Sequence, residues 1–237
     1  MSMINTNNLS LFAYTNEDLC DQPWKAVLLD FHGLGFHDMI YEHTEAARYY
    51  ARHNVLYVFP YYGPWSWMNQ SAVRLVDAIL DTIFKKYSLD ENVPIISSGG
   101  SMGGLSALIY ARYAARTPRA CAANCPVCDL PYHFTERRDL PRTLYHAFSG
   151  YDMPFERALE TASPFHQVMN MPRIPYFIAH CTEDQAVAIH RHSDVFVTAM
   201  REIDHTIEYL TIAERAHCDL SEMGWMRFRN FILSFTH

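Results

Sequence analysis

The chain has 237 residues, 49% of them apolar, and a formal net charge of −7. That is enough apolar material for a sizeable core in one domain, and an acidic balance without a lysine or arginine cluster excludes the footprint of a nucleic-acid binder. The longest apolar runs, "KAVLLDF" and "IPYFIA", fall far short of the roughly 18 to 20 residues that span a bilayer, and no basic-then-apolar leader opens the chain, so a cytoplasmic location away from membranes is expected.

Apolar, β-branched runs alternate with amphipathic ones, the pattern of βα units and a mostly parallel sheet. The first predicted strand, 25–31, runs into the turn "FHGLGFHD" and a helical pattern over 40–53. A second strand, 54–60, ends in the aromatic stretch "FPYYGPWSWMN", and a helix over 70–87 follows, its apolar residues recurring at three- and four-residue steps. Tyr61, Tyr62, Trp65 and Trp67 stand at the carboxyl end of that strand, where open α/β sheets bind ligands. They read equally as a pocket wall or as packing between turn and cap.

The third strand, 93–98, leads into Gly99-Gly100-Ser101-Met102-Gly103 and a helix over 102–116. Six of the chain's nine glycines fall in this turn and in the earlier "HGLG" turn. Glycine is placed where φ must be positive or where backbone must approach closely, so both turns are candidate sites. G-x-S-x-G between a strand and a helix is the nucleophile-elbow context, with a serine on a strained turn and small residues two before and two after it. A phosphate loop would end in Gly-Lys-Ser/Thr, which is absent; a serine that merely caps the helix is the bland alternative.

The fourth strand, 119–125, carries Cys121 and Cys125, with Cys128 just beyond. Their C-x3-C-x2-C spacing is not a paired zinc pattern, and buried thiols are expected, with no metal. Residues 131–168 are too long for an ordinary connection; Pro131, Pro141, Pro154 and Pro164 break them into short helices, read as an inserted cap. The fifth strand, 174–180, is followed by Glu183 and Asp184 and a helix over 187–202. The sixth, 207–213, is followed by His217 and a helix over 221–235. A serine hydroxyl needs a base, and the base an orienting carboxylate. Serine, acid and histidine occur in that order at successive strand ends as Ser101, Asp184 and His217. The oxyanion donors expected alongside them are the N–H groups of Leu34, in the HGLG turn, and Met102. Cys181 and Cys218, close in sequence to the acid and the base, are expected near the site.

The stretches "DFHGLG", "SGGSMGG", "SPFHQVMNMPRIPYFIAHCTEDQAV" and "AERAHCDL", from about residue 25 to the C-terminus, resemble the α/β-hydrolase superfamily, and within it the serine esterases and the catalytic domains of prolyl-oligopeptidase-type peptidases. The resemblance implies one α/β domain over residues 1–237, a mostly parallel doubly wound sheet with a small helical cap at about 131–168. It implies a serine hydrolase acting through Ser101, His217 and Asp184 with no cofactor. Two departures from the family pattern carry expectations. About 24 residues precede the first strand, so the leading antiparallel hairpin is expected to be abbreviated and no propeller domain is expected. Arg215-Ala216 stands where a glycine-rich approach to the histidine is often seen. Small carboxylic esters are the expected substrates; a peptidase or amidase with the same machinery and a catalytically silent hydrolase-fold binding protein are the alternatives.

Overall fold

The computed structural model describes residues 4–237. Its centre is a seven-stranded sheet: β1 (Ala13–Thr15), β2 (Ala26–Phe31), β3 (Val55–Pro60), β4 (Ile95–Gly100), β5 (Ala120–Asn124), β6 (Tyr176–Cys181) and β7 (Ile207–Ile212). They lie in the order β1-β3-β2-β4-β5-β6-β7, all parallel except β1, which runs antiparallel to β3. The order reverses beside β2, so the carboxyl ends of β2 and β4 flank a crevice of the kind that receives ligands in open α/β sheets. This is the expected α/β-hydrolase architecture. β1, three residues long, is too short to register as an alternating run.

Helices cover both faces. On one side lie α1 (Glu45–Ala51) and α8 (Glu222–Leu233); on the other lie α2 (Gln70–Lys86), α3 (Met102–Tyr113) and α7 (Ser193–Glu202). Strand side chains divide by the two-residue period of a pleated strand. In β2, Ala26 and Leu28 join Tyr50 of α1 and Phe228 of α8, while Val27, Leu29 and Phe31 join the larger cluster with α2 and α3. Side-chain oxygens start three of these helices, Thr44, Asn69 and Ser221 accepting from the amides of Ala47, Ala72 and Gly224, as good N-caps do. Sequence periodicity began α1 five residues early because the amphipathic signal runs on through its loop; the Thr44 cap sets the start.

Between β5 and β6 the insertion forms α4 (Leu130–Glu136), α5 (Leu140–Phe148), α6 (Phe155–Thr161) and a 3₁₀ turn over Phe165–Asn170. Pro131 and Pro141 stand in the first turns of α4 and α5, where a missing amide hydrogen costs nothing. The cap is rooted on the loop before α2: Trp67 Nε1 donates to Thr143 Oγ1 at 3.1 Å, Asn69 Nδ2 to the Ala147 carbonyl at 2.9 Å, and the Gln70 amide to Tyr151 at 2.8 Å. No helix among the described residues is long and apolar enough to cross a membrane.

The tightest joint is the crossing of α3 over β2. A methyl group at Gly103 would stand 1.9 Å from the Phe31 carbonyl oxygen, and one at Gly99 would stand 2.4 Å from the Gly103 carbonyl oxygen. Both obstacles are backbone, so no rotamer change relieves them. Gly103→Ala is expected to lower stability by at least the ~3 kcal/mol upper range of ordinary overpacking. Gly150→Ala, at a position with nothing within 4 Å, should leave the melting temperature close to that of the parent. Thermal denaturation of the two variants side by side checks the difference.

Candidate active site

Ser101 ends β4 and precedes α3 with φ 60° and ψ −125°. A non-glycine residue at positive φ stores on the order of 1–3 kcal/mol of strain. The turn is held by the Ser101 amide donating to the Asn124 carbonyl at 2.9 Å and by the Leu105 amide donating back to the Ser101 carbonyl at 3.1 Å. The Ser101 side chain makes no cap hydrogen bond, which removes the helix-cap reading of this residue. Its hydroxyl instead borders a cavity of about 700 Å³ that Gly33, Leu34, His217 and Cys218 also line.

Asp184 and His217 come from the turns after β6 and β7. These turns are laced together by the Glu183 amide donating to the Arg215 carbonyl at 3.0 Å and the Glu214 amide donating to Thr182 Oγ1 at 3.0 Å. Asp184 is buried and Glu183 exposed; it is Asp184 Oδ2 that takes the Nδ1 hydrogen of His217, at 2.6 Å. Asp184 Oδ1 accepts from the amides of Ala186 and Val187, both at 2.9 Å, and His180 Nε2 lies 3.2 Å from Oδ2. Burial by itself would raise the Asp184 pKa, but these hydrogen bonds, from His180 and His217 first, hold it far below the usual carboxylate range. For His217 burial opposes the imidazolium; the hydrogen bond and charge of Asp184 outweigh that and raise the ring above its ordinary value. With Nδ1 committed to Asp184, Nε2 faces the cavity side, 3.7 Å from Cys218 Sγ. No hydrogen bond joins Ser101 to His217 in this state.

On the far side of the serine, the Gly35 amide donates to the Pro64 carbonyl at 2.8 Å, which fixes the HGLG turn. The N–H groups of Leu34 and Met102 donate to nothing among the described residues. They are the two expected oxyanion donors. His32 is buried, stacks on Tyr62 at 4.1 Å between ring centroids, and bonds the Gly33 carbonyl through Nδ1; burial lowers its pKa. It is packing.

Of the four aromatics proposed as a pocket wall, Trp67 alone lines the Ser101 cavity. Tyr62 is buried, donating to the His32 carbonyl at 2.8 Å, Tyr61 accepts from the Ile40 amide at 2.8 Å, and Trp65 sits edge-on to His146. Tyr61 and Tyr62 thus serve the segment after β2 and Trp65 packs on cap helix α5, while Trp67, bonded to Thr143 at the cap root, also lines the cavity. The actual wall comes from Phe36, Tyr50, Phe59, Trp225 and Phe228, faced by His133 and Arg137 of the cap. These residues went unnoticed in the sequence because they lie on elements far apart in the chain. Asp30, at the cavity floor, did leave a signal: an acid inside "LLDF". It accepts from Tyr57 at 2.7 Å and Ser98 at 2.9 Å, and burial raises its pKa despite both bonds.

Among the described residues, three groups of side chains have metal-ligand composition. In the first, His192 Nδ1 accepts from the amides of Cys128 and Asp129 at 3.1 and 3.2 Å, so its proton is on Nε2 and is given to Glu136 at 2.9 Å. His133 donates to the same carboxylate oxygen at 2.6 Å, and the Ala188 amide to its other oxygen at 2.9 Å. Burial would raise the Glu136 pKa; these donors lower it well below the usual range. This is a closed hydrogen-bond clamp from cap helix α4 to the loop beyond Asp184. In the second, His180 uses Nε2 on the Val187 carbonyl at 3.0 Å and Nδ1 on Ser193 at 2.6 Å. In the third, Cys125, His217 and Cys218, the Cys218 amide donates to Cys125 Sγ at 3.3 Å, and Cys218 Sγ lies 3.7 Å from both the Asn124 carbonyl and His217 Nε2. Cys181 is buried and away from the cavity lining, whereas Cys218 is part of it.

The family model that matches the sequence is that of the prolyl oligopeptidase family, over residues 76–235, more than half of the chain. No curated protein matches. Among solved structures, an acylaminoacyl peptidase of Pyrococcus horikoshii is similar with a TM-score of 0.72 at 12% identity, over 91% of this chain and 37% of that one. A puromycin-hydrolyzing peptidase of Mycobacterium tuberculosis gives 0.72 at 17% identity, over 91% and 34%. Esterase B of Lactobacillus rhamnosis, in an inhibited form, gives 0.69 at 14% identity, over 91% and 78%. The chain thus spans about a third of the length of the two peptidases and most of the esterase. At such identities the likeness is one of fold.

The Asp184–His217 pair has a pH signature. A ring whose pKa is raised stays imidazolium to higher pH, and the proton-accepting form appears only as pH rises through that raised value. The acid limb of kcat/KM is therefore expected above the ordinary histidine value of about 6.5. Asp184→Asn should move that limb to lower pH and reduce kcat by roughly 10³–10⁴, while Glu183→Gln changes both little. Rate profiles of the three proteins across pH check the assignment; a larger effect at Glu183 would reverse it.

Proposed function

The chain belongs to the prolyl oligopeptidase family and is a serine hydrolase, and from that premise we propose that it cleaves small carboxylic esters through Ser101, His217 and Asp184. The observation that supports this reading most is the conformation of Ser101: a strained serine at a cavity, its side chain making no cap hydrogen bond, with the Leu34 and Met102 amides donating to nothing among the described residues. Strain of this kind persists only where the surrounding fold enforces it, which also weighs against a silent binding protein.

In the proposed reaction Ser101 Oγ attacks the ester carbonyl as its proton passes to His217 Nε2, and the Leu34 and Met102 amides receive the negative charge that develops on the carbonyl oxygen. Asp184 holds the ring by Nδ1 and supports the imidazolium. The ring then returns the proton to the departing alcohol, and water repeats the sequence on the acyl-enzyme. The serine–histidine contact forms with substrate, since catalytic hydrogen bonds are often long in the free enzyme and tighten in the complex.

Esters are favoured over peptides by the cavity wall. It is largely aromatic, with Phe36, Tyr50, Phe59, Trp225 and Phe228, suited to an apolar acyl group. Positioning a peptide relies on polar contacts along an extended backbone. An amine must also be protonated as it leaves, a demand that an aryl alcohol does not make. The peptidase reading is carried by the family match itself and is the second choice.

Ser101→Ala and His217→Ala are each expected to lower kcat at least about a thousandfold while leaving thermal unfolding nearly unchanged. A fluorophosphonate should label wild-type protein and not Ser101→Ala. Short-chain aryl esters are expected to be hydrolysed and aminoacyl or dipeptidyl anilides hardly at all; faster turnover of the anilides would replace the esterase reading by the peptidase one.

A further inference from the structure

Next to the proposed base the structure gathers two thiols. Cys125 follows β5 and Cys218 follows His217, and both take positive φ, 44° and 59°, a conformation non-glycine residues rarely keep without a reason. The Cys218 amide donates to Cys125 Sγ at 3.3 Å, and Cys218 Sγ lies 3.7 Å from His217 Nε2. Both sulfurs and Nε2 fall within 4.8 Å of one another. We infer that Cys125, Cys218 and His217 form a site for a soft divalent cation of the zinc type, and that its occupation switches the enzyme off.

The spacing fits the ion. Tetrahedral zinc with Zn–S of about 2.3 Å and Zn–N of about 2.0 Å needs nitrogen–sulfur edges of roughly 3.6 Å and a sulfur–sulfur edge of roughly 3.8 Å. The observed 3.7 Å from Nε2 to Cys218 Sγ already has that length, and Cys125 offers its Sγ within 4.8 Å of the other two ligand atoms. The donor chemistry fits too, because thiolates and imidazole are the ligands such ions select. Asp184 holds Nδ1 and so turns Nε2 toward the ion, as the outer partners of metal-bound histidines do. The Cys218 amide donates to Cys125 Sγ; the hydrogen bond with Cys218 and burial raise the Cys125 pKa, so the ion itself has to displace that proton. His180 and His192 are excluded as ligands, since both ring nitrogens of each are engaged by backbone, hydroxyl or carboxylate groups, whereas His217 Nε2 meets Cys218 Sγ, a ligand of the same site. Binding sends the two thiol protons to solvent, and three protein ligands leave the fourth position to water.

The consequence for catalysis rests on the proposed role of His217, whereas binding does not. An ion on Nε2 occupies the lone pair that must receive the Ser101 proton. It also stands beside the elbow, since a methyl group at Gly100 would lie 3.3 Å from Cys218 Sγ. The metal is therefore an inhibitor here, and metal-free protein is the active form.

Cadmium reports thiolate ligation directly through its ultraviolet charge-transfer absorption. Titrating metal-free wild-type protein with cadmium, at the pH of maximal ester hydrolysis, is expected to give that absorption with a break at one ion per chain and to lose it on adding excess zinc. Cys20→Ser, away from the site, should titrate as the parent does, and Cys125→Ala/Cys218→Ala should bind at least tenfold more weakly. One equivalent of zinc is expected to reduce ester turnover at least tenfold, with recovery on adding EDTA. Absence of the absorption in wild-type protein would overturn the site whether or not the double variant folds, as would an unaltered titration in that variant. One-to-one binding with undiminished turnover would overturn the switch, leave the site, and count against His217 as the base.

Discussion

Everything at the site depends on how closely α3 passes over the end of β2. With the Phe31 carbonyl where a side chain at Gly103 would be, the helix starts directly above the sheet and the chain must turn at Ser101 with positive φ. The same turn leaves the Ser101 side chain without a cap hydrogen bond and the first helical amide, that of Met102, without an acceptor among the described residues. The strain is sustained by ordinary interactions on either side: the β4–β5 ladder ending in the bond from Ser101 to Asn124, and α3, whose buried residues reach from Met102 to Ala111.

Around that fixed point the other groups are held by loops that bind one another. Thr182 and Glu183 bond the base turn, Asp184 bonds its own turn and His217, and Glu136 of the cap bonds the segment that follows. Cap, acid loop and base loop form one connected hydrogen-bond system, so the cap is tied to the acid side of the cavity as well as rooted beside Trp67. Burial gives these charged contacts their strength: in a partly dry site a carboxylate that accepts several hydrogen bonds remains ionised where an unpartnered one would take up a proton. Asp184 and Glu136 are the first kind; Asp30, with two hydroxyl donors and no cation, is pushed the other way.

The thiols beside His217 give the site a second chemistry. Serine hydrolysis needs Nε2 as a proton acceptor, and a soft metal needs the same lone pair. A site built for the first becomes responsive to the second once two sulfurs stand within coordinating distance. The fold supplies this by placing left-handed cysteines directly after β5 and directly after His217.

The sequence by itself determined the elements and their order, because those are local properties. Period-two and three-to-four-residue patterns located the six parallel strands and five of the eight helices, prolines marked the cap, and G-x-S-x-G with Asp184 and His217 at successive strand ends made the candidate site legible. Tertiary structure decided what depends on distance between segments remote in the chain. It chose Trp67 over Tyr61, Tyr62 and Trp65 as the cavity aromatic, since Tyr61 and Tyr62 are held by the segment after β2 and Trp65 by His146. It assembled the wall from α1, α8 and the cap, tied Glu136 to the acid loop, and paired Cys125 with Cys218 across 93 residues of chain. It also placed β1, whose three residues are too few for a pattern and are strand only because β3 offers them an edge.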